Sequence, residues 1–127
     1  MRELTKYRLS VSDEQLKDSK SLLDNGGFKG SLNRSYYAIF TAIRALLAEK
    51  EIDFKKHSAV ISYFRQNYIK TEIFDKKLSD YVGDAFEIRN NSDYADFFIA
   101  SKEEAETQYL HAVEFYEVIK NYLESAD

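Results

Sequence analysis

Arg89 is the residue in this sequence with the strongest claim to do chemistry. Leu78, Val82, Ala85 and Arg89 step by four, three and four, so a helix through them carries the arginine at the end of its apolar stripe. A guanidinium in that position needs a partner, because burying an unpaired charge is very costly. Asp93 would supply one at i,i+4 if the helix continued for another turn. The other arrangement presents the arginine at a groove, where its planar fork suits a phosphate group.

A second stripe, Arg34, Tyr37, Thr41 and Arg44, steps by three, four and three. Two arginines flanking a tyrosine could line a phosphate or base site, combining charge with a stacking surface. The same stripe also suits a helix–helix or subunit contact. Only two histidines exist: His57, which follows Lys55 and Lys56 at the head of a helix, and His111, in the middle of another. They are too few for a histidine metal site, and no Glu-x-x-His pair suggests a carboxylate-bridged metal bundle. A Gly-rich phosphate loop and a nucleophile elbow are both missing. No metal or cofactor is expected.

The elements that must hold these residues are helices. The chain of 127 residues has no proline, no cysteine, no tryptophan and four glycines, against ten tyrosines and nine phenylalanines. Strand-rich folds use glycine and proline in their many turns, and this chain has few to use. The first helical segment starts near residue 3, or near 13 if Ser12 and Gln15 form a capping box. It closes at Asn25-Gly26-Gly27, where a left-handed glycine ends the last turn. The second, about 29–50, is apolar around most of its circumference at 36–40 and should be central. A third runs over about 57–69 and a fourth over about 74–90, where Asn90-Asn91-Ser92-Asp93 should break or fray it. The last opens on a capping box, Ser101 to Glu104. Short connections make neighbours antiparallel, which predicts an all-α, up-and-down bundle of four to five helices forming one domain over 1–127.

Composition also limits location and charge. Without cysteine there are no disulfides or thiolate metal sites, and no oxidising compartment is needed. The longest uncharged stretch, 35–43, is nine residues, well short of the ~20 needed to cross a membrane. The N-terminus lacks the apolar run of a signal peptide, so a cytoplasmic protein is expected. Residues 28–77 hold ten Lys/Arg against five Asp/Glu, and residues 80–127 three against twelve. Within a chain of net charge −4, the basic middle could meet a phosphate backbone or an acidic partner surface locally.

Several of these residues also form a familiar set. Asn33-Arg34-Ser35-Tyr36-Tyr37-Ala38-Ile39-Phe40, Ala45-Leu46-Leu47, Lys56-His57-Ser58 and Arg89-Asn90-Asn91-Ser92-Asp93-Tyr94 resemble the HEPN superfamily. More narrowly, they resemble its small stand-alone branch. The resemblance implies a helical bundle, a homodimer, and for many members a ribonuclease toxin paired with a nucleotidyltransferase-type antitoxin. In that chemistry an arginine stabilises the phosphorane while a following histidine moves protons for attack by the 2′-OH. Arg89 matches. The positions where the histidine would fall are Tyr94, Ala95 and Asp96, and Thr41 stands where relatives often carry another histidine.

The resemblance therefore implies an RNA- or nucleotide-binding protein acting with such a partner. The alternatives are an endoribonuclease using Arg89 with Asp93 or Tyr94, and a dimeric interaction module without ligand. Arg34, Tyr37, Arg44, Asn90 and His57 are the ligand-binding candidates. Arg34 and Tyr37 should face a dimer groove near Arg89. Relatives adenylylated on a tyrosine near this motif make Tyr94 a candidate modification site.

Overall fold

The computed structural model describes residues 1–126. It is an all-α bundle: α1 (Glu3–Asp24), α2 (Phe28–Ala48), α3 (His57–Phe64), α4 (Lys77–Tyr94) and α5 (Lys102–Ser125). A π-helical turn, Arg65–Ile69, continues α3. No strand is present among the described residues. None of the helices is long and apolar enough to cross a membrane.

α2 is the central element and packs against α1, α4 and α5. Its alanines at 38, 42 and 45 are fully buried, and Tyr36, Ile39, Ile43, Leu46 and Leu47 are almost so. Small residues let α1 approach closely. Ser12 Oγ donates to the Ala38 carbonyl at 2.7 Å, and Ser19 Oγ lies 2.7 Å from Ser35 Oγ and 2.9 Å from Ser31 Oγ. Each buried hydroxyl thereby finds a partner and avoids the penalty of an orphaned polar group.

Of the two starts open for α1 the structure takes the one near residue 3: Ser12 is a buried interface residue rather than a cap, and α1 starts at Glu3. The start is set from a distance, because Glu49 at the end of α2 accepts from the Arg2 N–H at 2.7 Å and from Thr5 Oγ1 at 3.1 Å. α4 begins at Lys77 rather than near 74, since Phe74 is drawn into the core and its N–H bonds the Tyr68 carbonyl. The same helix does not break at Asn90–Asp93. It runs on to Tyr94, with Ser92 buried and Asp93 paired to Arg89 one turn back. The tertiary pair outweighs the local preference of short polar side chains for turns.

Other local signals hold. Gly26 takes φ 82° and ends α1, with Gly27 N–H bonding the Leu22 carbonyl at 2.7 Å. Ser101 caps α5, accepting from the Glu104 N–H at 3.0 Å, an interaction worth about 1 kcal/mol. Between α4 and α5 the chain exposes Tyr94, Phe97 and Ile99, and Phe97 holds φ 58°.

Candidate functional site

The centre of the site is a ring stack built on α2. Tyr36 and Tyr37 are adjacent on α2 and meet edge to face at 5.1 Å. Arg89 comes from α4 and lies over both rings, 5.4 Å from the centre of Tyr36 and 5.6 Å from that of Tyr37. Its Nη2 donates to Tyr37 Oη at 3.2 Å. Its Nε stands 3.0 Å from Asp93 Oδ2. That contact is coulombic rather than a hydrogen bond, since the Nε–H finds no acceptor along its own direction. Arg89 thus sits on an aromatic floor, partly neutralised, with the rest of its fork uncommitted among the described residues.

His57 joins this group from the first residue of α3. Its Nδ1 is 2.8 Å from Tyr36 Oη, and its ring stacks on Phe40 at 4.0 Å. The Tyr37 ring meets it edge-on at 6.0 Å. Burial first, then the positive charges of Arg89 and Arg44, push the imidazolium below its ordinary pKa, so the ring is neutral at pH 7. Burial raises the Tyr36 phenol well above its ordinary value and outweighs the opposing charge of Arg89, which keeps the hydroxyl protonated. If Nδ1–H donates to Tyr36 Oη, Nε2 keeps a lone pair and can take a proton. If Tyr36 donates instead, Nε2–H is a donor for a phosphate oxygen.

The His57 shift has a consequence for stability. The folded state binds the His57 proton less tightly than the unfolded chain, so the unfolded state holds more protons below about pH 6.5. Stability should therefore fall as pH drops through 6.5, and level off below the depressed folded value. Denaturant titrations of wild type and His57→Gln across pH 5–8 check this, and an identical pH profile in the two would refute it.

Beyond His57 lies a cavity of about 490 Å³, lined by Phe40, Arg44, Asp53, Phe54, Lys55 and His57. Asp53 gathers the cations here, with Arg44 Nη2 at 3.0 Å and Arg8 Nη2 at 3.3 Å. Burial works to raise its pKa. The Arg44 hydrogen bond, the Phe54 N–H and the Arg44 and Arg8 charges outweigh that and hold the carboxyl below its usual value. Arg44 Nε is buried without an acceptor. The cavity therefore combines cationic groups with two aromatic faces.

The structure brings Tyr37, His57, Arg89 and Asp93 together, with Arg44 across the neighbouring cavity. Arg34 is exposed and, among the described residues, donates only to Asn33 Oδ1. Asn90 is half-buried and makes no side-chain hydrogen bond among the described residues. Tyr94 is 76% exposed and contacts neither Arg89 nor any other ring among the described residues. Sequence reasoning overlooked Tyr36, which fell on the apolar stripe of α2. A tyrosine on a fully buried stripe was the available signal, because its hydroxyl must find a partner.

With this geometry in hand, comparison with known proteins gives the family. The HEPN domain model matches residues 5–122, and the chain belongs to the HEPN family. It is 35% identical over 122 residues to a Methanocaldococcus jannaschii protein named Putative toxin MJ0142, covering 96% of this chain and 82% of that one. It is 33% identical over 122 residues to a UPF0332 protein of Thermotoga maritima, covering 96% and 92% respectively. A second M. jannaschii protein, Putative toxin MJ0605, is 28% identical over 123 residues, covering 97% of this chain and 91% of that one.

Proposed function

We propose that this chain is an RNA-binding HEPN protein of a toxin–antitoxin type module, holding a phosphodiester at Arg89. The observation that carries this reading is the placement of Arg89: an arginine 18% exposed, stacked over two tyrosines, with part of its fork free. The basic and aromatic cavity beside His57 suits the flanking nucleotide, with stacking on Phe54 and charge from Lys55 and Arg44. The toxin names of two relatives agree with such a module, in which the partner would be a nucleotidyltransferase-type antitoxin. A short single-stranded RNA followed by fluorescence anisotropy tests the binding. Affinity should fall as salt rises, and an RNA that does not bind in 50 mM salt would end this reading.

The position of His57 favours a second reading, metal-independent RNA cleavage. No histidine stands at 94–96, where the family motif would place one, and His57 of α3 shares the Tyr36–Tyr37 ring group with Arg89. In this scheme His57 Nε2 takes the 2′-OH proton and the 2′ oxygen bonds to phosphorus. The P–O5′ bond then breaks, the leaving O5′ takes a proton from water, and a 2′,3′-cyclic phosphate and a 5′-hydroxyl result, while Arg89 holds the charge on the phosphorane. Asp93 is the weaker candidate for a base, being engaged with Arg89. Cyclic-phosphate ends that appear with wild type and vanish with His57→Gln support this reading; RNA bound but left intact removes it.

The exposed Tyr94, Phe97 and Ile99 directly follow Arg89 and Asp93 along the chain. On this loop we place the second protomer expected of the family. Phe97→Asp should then halve the mass seen by light scattering, and an unchanged mass would dismiss the assignment.

A further inference from the structure

Arg65 stands apart from the other arginines. Arg2, Arg8, Arg44 and Arg89 each have a carboxylate partner, and Arg34 is exposed to water. Arg65 is half-buried, at the head of the π-helical turn, and has no carboxylate partner among the described residues. It is nevertheless held in place. Its Nε donates to Ser79 Oγ at 2.9 Å and its Nη2 to the Ser79 carbonyl at 3.2 Å, which leaves the Nη1 side of the fork unengaged. A half-buried cation fixed in position without a counter-charge is an incomplete arrangement that an anion would complete.

Two departures from regular helix converge on this side chain. In the π-helical turn Lys70 N–H bonds the Arg65 carbonyl five residues back, and such turns are frequent at functional sites. Across from it, α4 carries Gly83 in its interior, where glycine weakens a helix. A Cβ at Gly83 would lie 3.0 Å from Arg65 Nη2, so an alanine there would make the guanidinium give way by a few tenths of an ångström. Arg65, Lys70 and Gly83 all line a cleft of about 340 Å³ between α3 and α4, floored by Ile61, Val82 and Phe86. Lys70 also has no carboxylate partner among the described residues.

We propose that this cleft is a binding site for a phosphate monoester bearing a flat apolar group, separate from the Arg89 centre. Two unpaired cations match the charge of a monoester, about −1.5 to −2 at pH 7. Arg65 takes the phosphate with its free Nη1 edge, Lys70 adds a point charge from the rim, and the apolar group lies on Phe86.

Titrating the protein with phenyl phosphate while following backbone amide NMR shifts tests this. Saturable shifts at Ser62, Arg65, Gly83 and Phe86 are expected, with inorganic phosphate binding more weakly because it cannot use the floor. Lys70→Gln should weaken binding about tenfold, the typical value of one charged hydrogen bond. Gly83→Ala is the sharper variant. It shifts the guanidinium by a few tenths of an ångström against α4 while improving helix propensity, so melting temperature should hold or rise while phenyl phosphate affinity falls. RNA binding should be unchanged in both variants, which separates this site from the reading above. Shifts confined to Arg89 and Tyr37, no saturable shifts, or a Gly83→Ala protein that binds like wild type would each overturn the proposal. Equal affinity for inorganic phosphate would overturn the assignment of the apolar floor.

Discussion

Arg89→Ala is expected to lose RNA affinity by ten- to a hundredfold, roughly the worth of a charged hydrogen bond, and to lower stability at the same time. The binding loss follows from removing the cation that the site holds ready for a phosphate. The plot of log affinity against log salt should also flatten by about 0.7, the share of one phosphate contact on a single strand. The stability loss has two sources: the cation's contact with Tyr36 and Tyr37, and the Asp93 carboxylate, 29% exposed, left without its partner. Contacts of this kind are each worth about 0.5–2 kcal/mol, and solvent screening keeps this ion pair at the lower end.

Arg89→Lys separates the two effects. Lysine keeps a charge near Asp93 but cannot lie flat over two rings while presenting a fork. It should recover much of the melting temperature and little of the RNA affinity. If Arg89→Ala melts earlier yet binds RNA as wild type does, Arg89 is a pin between α2 and α4 and the proposed site is wrong.

Tyr36→Ala should be the most destabilising single change at the site, costing about 3–5 kcal/mol in line with other buried aromatic truncations. Tyr36 is 1% exposed and its ring meets Tyr37, Phe40, His57, Phe86 and Arg89. Removing it deletes the floor under both Arg89 and His57. Tyr36→Phe keeps the ring and removes only the hydroxyl that meets His57 Nδ1 at 2.8 Å, at a cost of about 1 kcal/mol. The imidazole then loses its orientation. Any RNA cleavage should therefore fall far more than stability does, as measured by initial cleavage rates beside a urea titration. Cleavage that survives Tyr36→Phe intact would mean that His57 needs no such positioning.

The architecture was legible because helix-forming patterns are local. The apolar run at 36–40 marked α2 as central, and Tyr36, Ala38, Ile39 and Phe40 are buried. The Ser101 cap and the Gly26 terminator each depend on residues within one turn of them, so reading the chain in order was enough. Boundaries stayed open or failed where the deciding partner lies away along the chain. Glu49 decides between the two starts open for α1, and Tyr68 draws Phe74 out of α4. The Asn90–Asp93 segment reads as a breaker, yet it stays helical to Tyr94, with Asp93 paired to Arg89 one turn back.

The candidate site divides in the same way. The sequence by itself determined that Arg89 ends an apolar stripe, that Asp93 stands one turn away, and that no histidine follows at the motif's spacing. Periodicity suffices for such statements, because residues on one helix keep a fixed relation. What only the tertiary structure decided is which residues gather around the arginine. It set Tyr37 under Arg89, left Arg34 and Tyr94 in solvent, and brought His57 from another helix to the hydroxyl of Tyr36. The crossing of α2, α3 and α4 is fixed by how their side chains interlock, and residues 21 and 52 positions apart meet there. No local pattern encodes that distance, so the meeting of His57 with the Tyr36–Tyr37–Arg89 group could be found only in the folded chain.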